Sequence, residues 1–413
     1  MKRSESIVEW AGRISVFGFG WMVVMCLFNT STVSVQVANF GYFLFAVPWL
    51  VWVVMSGRWR YRFRREHLLS YAMILFFVLE LFYLPFEGNV YLKSAMEKRY
   101  PLLLFALAGL FGYYEKLTLR RVVDIMAVVA VVTIVAIVMN AGLVQLVVSP
   151  ERSYIFAHSR TALVNTHMMF NFYLNVMLVG LWWIWFRCRE RTLWRGVLYI
   201  VAALLAMCVL CISDGRNGLV TFLFLVFLLI TVECWQRWRW RTVGVVAFMV
   251  IVGLAIIELN PRFQQYGFQN GARNGYWRAA VELIAEKPLT GYGVNNAQEE
   301  FDKVNMKYQT DGMADYWFKR KECRFIDTHN QFLQTTLEFG LIGLLLLLSL
   351  YVLPIVSTSG ERRPLMAILM LICGVQSMTD MFITGQFCTI YCIITQAVIS
   401  FPVMCGKTIK KTG

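Results

Sequence analysis

Charge is scarce in this chain. Only 15% of its 413 residues are Asp, Glu, Lys or Arg, against roughly a quarter in an ordinary soluble domain. That shortage excludes a water-facing surface along most of the sequence, and a hydrophobic content of 58% says what replaces it. Disulfides are excluded from the one large polar stretch, residues 259–339, because Cys323 is its only cysteine and the other nine fall in apolar runs or basic connections. Cys208 and Cys211, at helical spacing, read as packing. The sequence has no Asp-x-Asp motif and no acidic cluster between Asn29 and Gln36, and its histidines lack ligand spacing, so the usual donor sets for a metal are missing. It also lacks a glycine-rich phosphate loop of the Walker type, which argues against nucleotide chemistry. There is no internal repeat and no low-complexity tract. No small-residue cleavage site follows the first apolar run, which reads as a retained helix.

What is present is a succession of apolar runs, near 13–29, 37–56, 68–85, 101–114, 122–147, 162–186, 197–212, 219–234, 243–258, 340–357, 365–376 and 387–404. A hydrocarbon core of ~30 Å takes ~20 helical residues to cross. The runs therefore predict an all-α polytopic membrane protein of about twelve transmembrane helices, with the shorter 101–114 and 365–376 runs tilted, extended into polar flanks or partly re-entrant. The formal charge of +14 is not spread like a nucleic-acid surface. With Lys2 and Arg3 inside, every second hairpin is basic: Arg58 to Arg65, Lys116 to Arg121, Arg187 to Arg195, Arg237 to Arg241, Arg362 and Arg363, and last Lys407 to Lys411. This is the positive-inside pattern, and Trp59, Trp194, Trp235, Trp238 and Trp240 beside the arginines are its interfacial belt. Membrane lipids, not nucleic acid, are the expected surroundings.

Three parts follow: residues 1–258 with helices one to nine, 259–339 as a large outer loop, and 340–413 with helices ten to twelve and a cytoplasmic tail. The loop is too long for a hairpin and has its own apolar periodicity, so it is expected to fold as a helical cap. Tyr276 to Lys287 reads as an amphipathic helix ended by Pro288. Gly291 and Gly293 mark a turn that needs positive φ.

Ionisable residues on the outer face run against the positive-inside bias and carry the chemistry. Arg216, in the turn Ser213-Asp214-Gly215-Arg216-Asn217-Gly218, has two readings. It is a turn arginine paired with Asp214, or it is an anion site whose planar fork suits phosphate oxygens. Arg278, beside Trp277, is either a solvated helix position or a second phosphate ligand. His329 stands where the chain returns to the membrane, with Asp327 or Thr328 as the expected N-cap. The positive end of that helix is expected to keep the imidazole neutral, as suits a general base, though a capping or hydrogen-bonding role also fits.

The outer-turn Arg216, Trp277-Arg278-Ala279-Ala280 followed by Lys287-Pro288-Leu289-Thr290-Gly291-Tyr292-Gly293, and Thr328-His329-Asn330-Gln331-Phe332-Leu333-Gln334 followed by Glu338-Phe339-Gly340-Leu341-Ile342-Gly343 together resemble the O-antigen ligase superfamily. The motifs cover roughly 213–345, and the His-Asn box with its glycine-containing apolar run is the most specific part. The superfamily holds lipopolysaccharide O-antigen ligases, O-antigen polymerases and protein O-oligosaccharyltransferases, all bacterial inner-membrane enzymes of the GT-C type. The resemblance implies a metal-independent, cofactor-free, inverting transfer of a glycan from undecaprenyl diphosphate, with the active site and cap facing the periplasm. It makes His329 the base and Arg216 and Arg278 the diphosphate ligands, with Arg99 and Arg160 as supporting contacts and Asp214 and Asn330 behind them. Size and a single dominant loop resemble a ligase acting on lipid A-core oligosaccharide. A polymerase, a protein-directed transferase or a transporter of the same lipid-linked glycan are the alternatives.

Overall fold

The computed structural model describes residues 2–28, 35–60, 62–83, 89–141, 164, 166–187, 192–213, 216–259, 272–308 and 327–403. In chain order its α-helices are α1 (Lys2–Met25), α2 (Val35–Met55), α3 (Leu68–Tyr83), α4 (Asn89–Phe111), α5 (Leu119–Ala141), α6 (His167–Arg187) and α7 (Leu193–Ile212). They continue as α8 (Arg216–Leu259), α9 (Ala272–Glu286), α10 (Val294–Tyr308), α11 (Gln331–Ser357), α12 (Arg363–Ser377) and α13 (Gly385–Ser400). The described residues form no β-sheet. α5 shows why: its run of Val and Ile would suit a strand in water, but in hydrocarbon each backbone N–H and C=O must be satisfied within the segment, and a helix does that.

Eight of these helical segments are long and apolar enough to cross a membrane, in α1, α2, α3, α5, α6, α7, the first part of α8 and α11. The protein is a multi-pass membrane protein. The expected count of twelve is not reproduced, and each of the other four runs has a physical reason. The 101–114 run is the apolar end of α4, whose first part is polar and which carries Pro101 inside. The 365–376 and 387–404 runs become helices of 15 and 16 residues, short of a full crossing. The 243–258 run is not separate at all. The connection expected at Arg237, Arg239 and Arg241 lies inside α8, which continues unbroken for 44 residues, about 66 Å at ~1.5 Å per residue. Cys234 to Thr242 holds neither Gly nor Pro, so its charges alone give the backbone no cause to turn.

The chain divides into two compact units. One comprises residues 1–12, 48–114 and 269–400, where α3 packs on α4 and α11, α4 on α13, and α11 on α12. Here α9 and α10 pair and rest on α11, burying Tyr276, Ala280, Leu283, Phe301, Val304 and Leu337 in a small core of their own. The other unit comprises 13–47, 115–268 and 401–413, built on α5, α6, α7 and α8. Within it Asn171 donates to Ser213 Oγ at 3.1 Å, and Asn175 donates to the Gly218 carbonyl at 3.1 Å. These amides tie α6 to the end of α7 and to the start of α8.

Candidate functional site

The first unit is organised around a break in α11. Gly340 adopts φ 63, ψ −157 inside an otherwise helical run, and this interrupts the backbone ladder. The orphaned groups are taken up by the turn after α9. Tyr292 N–H donates to the Leu337 carbonyl at 3.0 Å, Gly293 N–H to the Glu338 carbonyl at 2.7 Å, and Leu341 N–H to the Pro288 carbonyl at 2.8 Å. Gly291 and Gly293 lie at φ 67 and 78, the positive values expected of that turn. A Cβ on Gly340 would fall 2.2 Å from the Leu289 carbonyl carbon, so the two strands of backbone meet at glycine distance.

The segment Asp327 to Asn330, just before α11, is pinned at nearly every group. Asn330, not Asp327 or Thr328, is the N-cap: it sits at φ −153, ψ 110 and its side chain accepts from Phe332 N–H and Leu333 N–H. Its amide also donates to the Met378 carbonyl at 3.3 Å. Thr328 N–H donates to Gln334 Oε1 at 3.2 Å, and Trp277 of α9 donates its indole N–H to the Thr328 carbonyl at 3.1 Å. What these bonds hold is His329, which among the described residues is the one non-glycine at positive φ, 47°. A left-handed histidine costs on the order of 1–3 kcal/mol and persists only where its surroundings enforce it.

Two carboxylates face the imidazole. Asp327 Oδ1 accepts from the His329 backbone N–H at 2.8 Å and lies 3.2 Å from Nδ1, while Asp380 Oδ1 lies 3.9 Å from the same nitrogen. Nδ1 is buried and makes no hydrogen bond within the protein. Tyr276 stacks obliquely, its ring centroid 6.0 Å away. Burial pulls the His329 pKa down, but Asp380 and Asp327 outweigh it, and the value is raised above the ordinary 6.5, with Arg273 opposing. The expectation of an imidazole held neutral by a helix terminus is corrected: the helix starts two residues later, and two carboxylates favour imidazolium. Burial in turn raises the Asp327 carboxyl, against the pull of His329.

The expected arginines fall in different places. Arg278 is exposed on α9, and its charge is felt at Tyr308, which bonds Glu282. Arg273, which the sequence reading passed over, acts on His329 instead. It lies four residues before Trp277, hence on the same helix face, and that spacing is the signal that would have found it. Arg99, expected to touch a diphosphate, is 3% exposed and is the centre of a buried ion triad. It donates to Glu80, to Glu338 Oε2 at 3.1 Å and to the Ile383 carbonyl at 3.2 Å, between the rings of Phe76 and Phe339. Its charge is already answered by two carboxylates, so it supports the fold of this region and presents no free cation to a ligand.

Arg216 opens α8 in the second unit and is half-buried. A cation at a helix N-terminus opposes the helix dipole, and both favour an anion there. Asp214 and Arg160 lie outside the described residues. Asp380 was missed, yet it is the one charged residue between Arg363 and Lys407. Among the described residues no three metal-ligating side chains gather.

Compared with curated proteins, the chain matches none. One family model does match, over residues 201–348, the stretch that carries Arg216, Arg273, Arg278, His329 and the Gly340 break. That model is described as O-antigen ligase, and residues 201–348 of the chain are similar to that family.

Proposed function

We propose that the protein is a bacterial inner-membrane glycosyltransferase that joins a glycan from undecaprenyl diphosphate to the lipid A-core oligosaccharide at the periplasmic face. The observation that carries this reading is the His329 imidazole held between Asp327 and Asp380 with the Arg273 charge acting on it. In the proposed reaction an acceptor hydroxyl oxygen attacks the anomeric carbon while the bond from that carbon to the diphosphate breaks. His329 takes the hydroxyl proton, and the two carboxylates stabilise the imidazolium that forms. Undecaprenyl diphosphate leaves with the electron pair, its growing charge met by arginine. Diphosphate binding is proposed for Arg278, as the resemblance implies, and for Arg273, whose charge acts on His329; an anion-binding role of its own is proposed for Arg216 at the start of α8.

Purified protein, a lipid-diphosphate-linked glycan and lipid A-core provide the test. His329→Ala is expected to lower transfer by roughly 10²–10⁴-fold, and full activity in that variant removes the base assignment. In a deletion strain, bare core supports the ligase reading, whereas core bearing a single repeat assigns the chain to the polymerases.

A further inference from the structure

We propose that Gln331 is a positioning residue that sets the spacing between His329 and Asp380. The inference rests on the base reading of His329 given above. Gln331 is fully buried at the start of α11. Its Oε1 accepts from both Phe382 N–H and Ile383 N–H at 2.8 Å, and its Nε2 donates to Thr335 Oγ1 at 2.8 Å, which fixes the amide's orientation. Gln331 follows His329 by two residues, and the two N–H groups follow Asp380 by two and three. One side chain therefore locks the segment bearing the carboxylate to the segment bearing the imidazole.

A second direct tie is longer: Asn330 reaches the Met378 carbonyl at 3.3 Å. Arg99 of α4 bridges less directly, from the Ile383 carbonyl at 3.2 Å to Glu338 at 3.1 Å. Asp380 itself is held open by accepting from its neighbour Met381 N–H at 2.9 Å. At 3.9 Å the carboxylate stands about 0.7 Å beyond the usual hydrogen-bond range of Nδ1. A shift of that size decides whether the pair closes as imidazolium forms, and the Gln331 amide is what limits the shift. Removing it leaves two buried donors without an acceptor, and the Asp380 segment is then free to move away. The groups that face the imidazole are Asp327 and Asp380, the Arg273 charge and the Tyr276 ring.

The experiment measures kcat, donor KM and the acid limb of kcat against pH for the purified protein in the transfer assay. Gln331→Met, similar in length but without an acceptor, is expected to lower kcat on the order of 10²-fold, as a 1 Å misplacement does. Donor KM should stay within about twofold, since the variant removes no proposed diphosphate ligand. The acid limb should move down toward the ordinary imidazole value, as it should in Asp380→Asn. The Gln331→Met/Asp380→Asn double variant should show little loss beyond either single one, because both break one pairing. Gln331→Glu keeps an acceptor oxygen and is expected to recover most of the kcat that Gln331→Met loses.

An unchanged acid limb in Gln331→Met, or losses that add fully in the double variant, overturns the proposal. If Gln331→Met does not fold, Thr335→Val decides: it releases the amide's orientation, and the same downward movement, smaller in size, is expected, whereas an unmoved limb overturns the idea. His329→Ala separates the two readings. Full activity there removes the base assignment itself, while an essential His329 with indifferent Gln331 variants removes only the positioning role.

Discussion

Two helices of this protein treat interruption in opposite ways. α8 carries Arg237, Arg239 and Arg241 among tryptophans in its middle and does not break, whereas α11 is apolar through its middle and breaks at Gly340. Polarity is therefore not what ends a helix here. At Gly340 the freed carbonyls of Leu337 and Glu338 and the N–H of Leu341 find partners in the turn 288–293. A break is tolerated where another piece of backbone is ready to satisfy it, and a stretch with charges but no such partner stays helical.

The largest effect is expected from Gly340→Ala. A side chain at φ 63, ψ −157, with its Cβ on the Leu289 carbonyl carbon, has no room and no allowed backbone well. A loss of at least ~3 kcal/mol is expected, enough to abolish monodisperse protein in detergent. A variant that elutes and melts like the parent would show that the turn does not dock on the break.

The starts of the two helices supply the next test, because α8 opens with a permanent cation and α11 follows a titrating one. Arg216→Lys keeps the charge but loses the fork, and transfer is expected to fall on the order of 10²-fold at every pH measured. His329 gives a different shape. Its raised pKa means that the base form is lost as pH falls, so the acid limb of kcat/KM should lie above pH 6.5 and drop about tenfold per unit below it. Stability moves the other way. Protonated His329 favours the folded state fully below 6.5, and that contribution is lost as pH rises through the folded value. An acid limb at or below 6.5 would separate the carboxylates from the imidazole.

The same contrast explains how much was legible beforehand. Eight spans were readable because hydrocarbon leaves a long apolar run one solution, and the positive φ of Gly291 and Gly293 was readable because their spacing served a turn. The continuous α8 was not, since Arg237 to Arg241 satisfied a rule about loop charge that says nothing about backbone. At the candidate site, His329 stood out within its own segment, but its partners did not. Asp380 lies 51 residues away, and Glu80, the single charge in the 68–85 run, meets Arg99 and Glu338 only through packing. Such gatherings are properties of the fold, visible in sequence only as a lone charge in an apolar stretch. Arg99 illustrates the error this invites: a basic residue on the expected outer face was read as reaching for a ligand, when two buried carboxylates already claim it.

Smaller effects refine the picture. Asn330→Ala removes the α11 N-cap and the bond to the Met378 carbonyl, and a loss of about 1 kcal/mol is expected in thermal unfolding. Gly244→Ala is the counterpart to Gly340→Ala on the unbroken helix, and its expected effect has the opposite sign. Nothing lies within 4 Å of a Cβ built there, and the position is exposed in the continuous part of α8. Alanine gives up less backbone entropy than glycine, so a gain of roughly 0.5–1 kcal/mol is expected, seen as a melting temperature about 1 °C higher with transfer unchanged. A destabilised Gly244→Ala would mean that α8 bends or breaks near its basic middle, returning the Arg237 to Arg241 stretch to a connection between two spans and removing the contrast on which the comparison with α11 stands.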